Sequence, residues 1–144
     1  MRSWFLATLL LGACNSAPLP DEAGSPAPGA TATALSPGTT PVRIGEQGPS
    51  FAACGIGGVV LAPTIPVRTA PFEEAKVAGT LEQGRPLFVC TRSIDQRWLG
   101  IVAPPAATPE DGCGVASPVG SRRGYDGPCL SGWVPAAAIR ARAR

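Results

Sequence analysis

Of the chain's 144 residues, 18 are Gly and 17 are Pro, about a quarter of all positions, where roughly 12% is ordinary. With 15% charged and 6% aromatic residues, the composition accommodates one small domain beside a non-globular remainder. The sequence has no His, which removes the commonest general base, the usual zinc ligand and the Ser–His–Asp and Cys–His nucleophile systems, and a net charge of +2 without a basic stripe excludes a nucleic-acid footprint.

The chain opens with Arg2 and an apolar run from Trp4 to Leu11 interrupted by Thr8. Eight residues are too few for a bilayer, which needs about 20, so the segment reads as an export signal. Its ending, Leu11, Gly12, Ala13 and Cys14, resembles the lipobox of bacterial lipoproteins. That resemblance implies cleavage after residue 13 and a diacylated Cys14, an anchor made stable by its two acyl chains. Asn15 in place of Asp after the cysteine resembles the outer-membrane-sorted class. The expected location is therefore the periplasmic side of a membrane, outer over inner.

Residues 15–49 hold 7 Pro, 5 Gly, 6 Ala and 7 Ser or Thr and no aromatic. Such a stretch buries too little apolar surface to offset chain entropy. Residues 14–49 are expected to be a disordered tether, and the folded domain to occupy residues 50–144.

Within that domain Val59, Val60 and Leu61 form a short buried-strand run. Glu82, Gln83 and Gly84 signal a turn. Residues 85–90 then alternate, placing Leu87 and Val89 on one side and Phe88 and Cys90 on the other. Residues 97–102 form a second strand, and the short connection predicts an antiparallel hairpin. A last strand spans residues 132–135, followed by a turn at 136–138 and by Ile139. The expectation is all-β: a small barrel of about five strands, closed or half-open. The terminal Arg140, Arg142 and Arg144 read as a frayed solubilising tail.

The order Val67-Arg68-Thr69, Pro71, Val77-Ala78-Gly79-Thr80-Leu81, Gly84, Leu87 to Cys90, Trp98 and Gly132-Trp133-Val134 resembles the bacterial Src homology 3 (SH3b) family over residues 56–141. Two features depart from the family pattern: Ala70 replaces the usual Gly before Pro71, and residues 136–139 replace an aromatic continuation. Residues 103–130 are an insertion where the family has a short loop. Cys113 to Pro118, Arg122, Arg123, Tyr125 and Gly127 to Cys129, with Cys54 and Cys90 elsewhere, resemble a subgroup of exported alphaproteobacterial members. The resemblance implies an SH3-like barrel and carries no particular activity with it.

With Cys14 lipidated, Cys54, Cys90, Cys113 and Cys129 remain as an even set in an exported chain. Four cysteines allow three pairings; closeness in sequence favours Cys113 with Cys129 and Cys54 with Cys90. Neither pair has zinc-ribbon spacing or a Cys-x-x-Cys motif, so no metal or other cofactor is expected. Glu73 with Glu74 and Glu110 with Asp111 are adjacent loop carboxylates without the apolar setting that splits an acid/base pair. Arg92, Arg97, Arg122 and Arg123 read as solvated surface. The aromatics available to a ligand groove are Trp98, Tyr125, Phe72 and Trp133.

The expected protein is a monomeric, non-enzymatic binding module, anchored in a membrane and docking on peptidoglycan or an envelope protein. The other reading is a structural subunit of an envelope complex with no small ligand of its own.

Overall fold

The computed structural model describes residues 38–106 and 110–143; Cys14 and most of the expected tether lie outside them. Among these residues the structure is all-β apart from two short 3-10 turns, Glu110–Cys113 and Ala136–Ala138. Nine strands follow one another: β1 (Arg43–Ile44), β2 (Ile56–Val60), β3 (Thr64–Arg68), β4 (Val77–Glu82), β5 (Pro86–Arg92), β6 (Trp98–Ala103), β7 (Arg123–Gly124), β8 (Leu130–Pro135) and β9 (Ile139–Ala143). Seven of them form one antiparallel sheet in the order β4-β3-β8-β6-β5-β2-β9, and β1 pairs with β7 separately. No helix among the described residues is long and apolar enough to cross a membrane.

The alternation of side chains decides how the large sheet is used. Leu87 and Val89 of β5, and Leu99, Ile101 and Ala103 of β6, point to one face. There they meet Val60, Ile65, Val67, Leu81, Val134 and Ile139 in a single apolar cluster. All seven strands contribute to it, including β4 and β9 at the two ends, so the sheet is curled around one core as a partly open barrel. The hairpin of β5 and β6 and the opposite facing of Phe88 and Cys90 agree with the alternation in the sequence. Five strands were too few: β3, β4 and β9 pack as strands despite interruptions by Pro66, Gly79 and the arginines. Arg140 and Arg142 lie on β9, paired with Val59 and Gly57 of β2, and are not a frayed tail.

The opposite face of the sheet carries a second apolar cluster. Phe88, Cys90 and Val102 of the sheet are covered by Val42, Ile44, Ala53 and Cys54 from an N-terminal arm and by Cys113, Val115 and Cys129 from the insertion. Arm and insertion also pair with each other: the amide of Cys54 donates to the carbonyl of Val115 at 3.0 Å, that of Ala53 to Ser117 at 2.9 Å, and that of Tyr125 to Val42 at 2.8 Å. Two disulfides reinforce this arrangement, Cys54 with Cys90 and Cys113 with Cys129. The first ties the arm to β5; the second closes the insertion on itself. Such bonds form and persist in oxidising compartments, which places the chain in an exported setting.

The arm corrects the expected boundary at residue 50. Val42 and Ile44 are buried because the short alternation Pro41-Val42-Arg43-Ile44 turns two β-branched residues inward, while the Pro and Gly around it dominate the composition. Gly45 adopts a φ of 77°, a left-handed conformation in which a Cβ would also meet Val119 at 2.6 Å; only Gly turns the chain there.

Candidate functional site

The turn between β5 and β6 builds one wall of a groove. The amide of Gln96 donates to the Ser93 carbonyl at 2.9 Å, and the amide of Ser93 donates to the Trp98 carbonyl at 3.0 Å. Asp95 accepts from the Ser93 hydroxyl and from the Arg97 amide, an Asx-type turn that fixes the loop locally. The Ser93 hydroxyl holds the Asp95 carboxyl below the usual carboxylate range, with the Arg97 amide acting in the same direction. Gln96 takes a φ of 60°. With the polar residues occupied by the turn, Ile94 is left at its tip, fully exposed.

The arm supplies the facing wall through Thr40, Pro41, Arg43 and Glu46, and Pro71 closes one end. Trp133 of β8 lies against the arm. Its indole Nε1 donates to the Thr40 carbonyl at 2.7 Å, so the ring is held in one orientation although only 4% of its surface is exposed. The ring extends over Gly100 of β6, where a Cβ would meet Trp133 and Val42. Thr91, buried beneath the groove, donates its hydroxyl to Glu46 Oε2 at 2.9 Å. Glu46 also pairs with Arg43 at 3.6 Å. The resulting groove has a volume of about 700 Å³. Ile94, Pro41 and Pro71 line it with apolar surface, joined by the small part of the Trp133 ring that is exposed, and Arg92 lines it too. A concave apolar floor with a few fixed polar groups is the arrangement of a binding groove.

The four candidate aromatics are distributed differently from a shared groove. Trp133 lines the main groove. Phe72 is 43% exposed beside Pro71, on the loop between β3 and β4. Trp98 is only 6% exposed and borders a separate cleft with Glu73, Arg97 and Ala137. Tyr125 is half-buried, and its hydroxyl donates to the Cys113 carbonyl and accepts from the Cys129 amide, both at 3.1 Å. It clamps the ends of the disulfide loop. Trp98 and Tyr125 therefore do not meet at a common site. Tyr125 borders a third cleft on the other side of Thr40 and Pro41.

Sequence reasoning missed the arm's contribution and Ile94, and read Arg92 as ordinary surface. An apolar residue inside the polar run Ser93-Ile94-Asp95-Gln96 was the available signal for the turn. For Glu46 no local signal exists, since Thr91 lies 45 positions away. Among the described residues no group of three or more Cys, Asp or Glu side chains is placed to hold a metal ion. Comparisons with protein-family models, curated proteins and solved structures found no match.

Proposed function

We propose that this chain is a lipid-anchored, non-enzymatic binding module of the bacterial envelope, an SH3-like barrel whose groove docks on peptidoglycan or on an envelope protein. The observation that carries this reading is the groove between the β5–β6 turn and the N-terminal arm. Its tip residue Ile94 is fully exposed on a turn made rigid by hydrogen bonds, and its floor is a tryptophan held by Thr40. An exposed apolar anchor on a rigid support, surrounded by polar groups, is suited to docking. Anchoring is proposed at Cys14, through the lipobox-like ending of the export signal, at the periplasmic face of the outer membrane. The two disulfides support the export part of this reading.

The test is retention of the full-length, detergent-solubilised protein on purified cell-wall sacculi and on crosslinked envelope extract. Ile94→Ser, a change on an exposed side chain, should reduce retention severalfold while leaving the fold intact by circular dichroism. Retention no greater than that of a reduced and unfolded control, on both matrices, refutes the docking reading. Cys14→Ser should move the protein out of the membrane fraction, and unchanged membrane attachment refutes the anchor.

A further inference from the structure

We propose that the groove reads a carboxylate: its occupant is an extended peptide bearing a free carboxylate beside an apolar side chain, with Arg92 meeting the carboxylate and Ile94 and Trp133 meeting the side chain. This rests on the docking reading above and narrows its ligand. The argument is one of charge already used and charge left over. Among the described residues four charged side chains border the groove: Arg43, Glu46, Arg92 and Asp95. Glu46 accepts from the Thr91 hydroxyl and is paired with Arg43. Asp95 accepts from two neutral donors, the Ser93 hydroxyl and the Arg97 amide, and the charge acting on it is that of Arg97. Both carboxylates thus have partners within the chain, and Arg43 has its counter-charge. Arg92 is exposed and takes part in none of the ion pairs among the described residues, which join Arg43 to Glu46, Arg68 to Glu73 and Arg123 to Asp126.

Among the described residues the groove therefore offers one cation outside any ion pair, Arg92, beside apolar surface. A guanidinium presents paired N–H groups that match a carboxylate in bidentate fashion. One cation beside apolar surface suits one carboxylate beside an apolar group. A polyanion needs a row of free cations, and Arg43 is not one. The neighbouring cleft, bordered by Gln47, Ile56 and Val89, shares Glu46, Thr91 and Arg92 with the groove. Arg92 thus stands on the ridge between two hollows, where a chain laid across both would pass it.

Fluorescence polarisation tests this with the full-length protein in detergent and two probes, fluorescein-labelled Gly-Gly-Ala-Leu with a free C-terminal carboxylate and the same peptide as its amide. The free acid should bind at least tenfold more tightly than the amide. Arg92→Ala should bring the two affinities together, and Arg92→Lys should retain part of the preference. Ile94→Ser should weaken both probes by a similar factor and leave their ratio unchanged. Equal binding of acid and amide by the wild type, or a preference that survives Arg92→Ala, overturns the proposal. Absence of peptide binding with sacculus or extract retention that Ile94→Ser reduces overturns the carboxylate inference and leaves the docking reading standing. Absence of both kinds of binding overturns both. Near-UV circular dichroism of each variant identifies any loss of fold; should Arg92→Ala lose it, Arg92→Gln takes its place in the comparison.

Discussion

Breaking the Cys54–Cys90 bond should destabilise the protein more than breaking Cys113–Cys129, although the second lies within the insertion that looks most dependent on a staple. The two cysteines of the first bond are 36 positions apart and those of the second 16. Loop-closure entropy in the unfolded chain then gives about 3.8 kcal/mol for the first and about 3.1 kcal/mol for the second. The loops do not overlap in sequence, so the two contributions should add to about 7 kcal/mol. Domains of this size have roughly 5–15 kcal/mol in total, which places the fully reduced chain near the edge of stability. The assay is urea unfolding of Cys54→Ala/Cys90→Ala, Cys113→Ala/Cys129→Ala and the quadruple variant, followed by tryptophan fluorescence. With a slope of about 1–1.5 kcal/mol per molar urea, the first double variant should lose roughly 2.5–4 M in midpoint. Cavity formation at the buried sulfurs adds to both losses in the same direction. A loss below 1 kcal/mol for Cys54→Ala/Cys90→Ala, or the reverse order of the two variants, refutes the reasoning and shifts the weight to packing between the arm and Phe88.

Ile44→Ala should cost about 2–5 kcal/mol in the same assay, because its side chain is almost fully buried in the outer-face core; a loss under 0.5 kcal/mol would return residues 38–49 to the tether. Gly132→Ala should cost at least 1–3 kcal/mol, since its Cβ would stand 2.5 Å from the Arg68 carbonyl oxygen, whereas Gly120→Ala, facing open space, should stay within about 0.5 kcal/mol; thermal unfolding of the two variants separates them. Asp95 has its carboxyl held below 3.8, chiefly by Ser93. Its contribution to the turn is therefore present above that pH and lost as pH falls through the lowered folded value. An NMR titration should show the Arg97 amide signal moving only at pH values below the usual carboxylate range, with the movement absent in Asp95→Asn.

What was legible in the sequence followed from local periodicity. Leu87, Phe88, Val89 and Cys90 alternate without interruption, so both their strand and the two faces it presents are readable from four letters. The cysteine pairing followed the shortest closures, and the structure has the same pairs. The arm was not legible because its apolar positions number only two, Val42 and Ile44, within a stretch otherwise typical of a linker. Their burial depends on Phe88 and Val115, far along the chain. The distribution of the aromatics was equally hidden. Trp98 and Trp133 lie on adjacent strands, with Trp98 opposite Pro135 and Trp133 opposite Gly100, yet they serve different clefts because Trp133 is drawn toward Thr40. A hydrogen bond spanning 93 positions leaves no trace in either neighbourhood.

The way the arm is fastened determines how the domain responds to a pull from its N-terminal side. Traction on Gly38 meets, in turn, the Thr40–Trp133 contact, the two-residue ladder of β1 with β7, and the covalent bond at Cys54. The first two are hydrogen-bonded and can be unzipped one at a time; the third is a mechanical stop. The 16 positions from 38 to 54 would pay out roughly 50 Å of extended chain before the curled sheet itself bears load. Because Thr40, Pro41 and Glu46 form one wall of the groove, that wall separates first. Were the chain anchored and its groove occupied as proposed above, tension on the arm would release the ligand while the sheet beyond Cys54 stays folded.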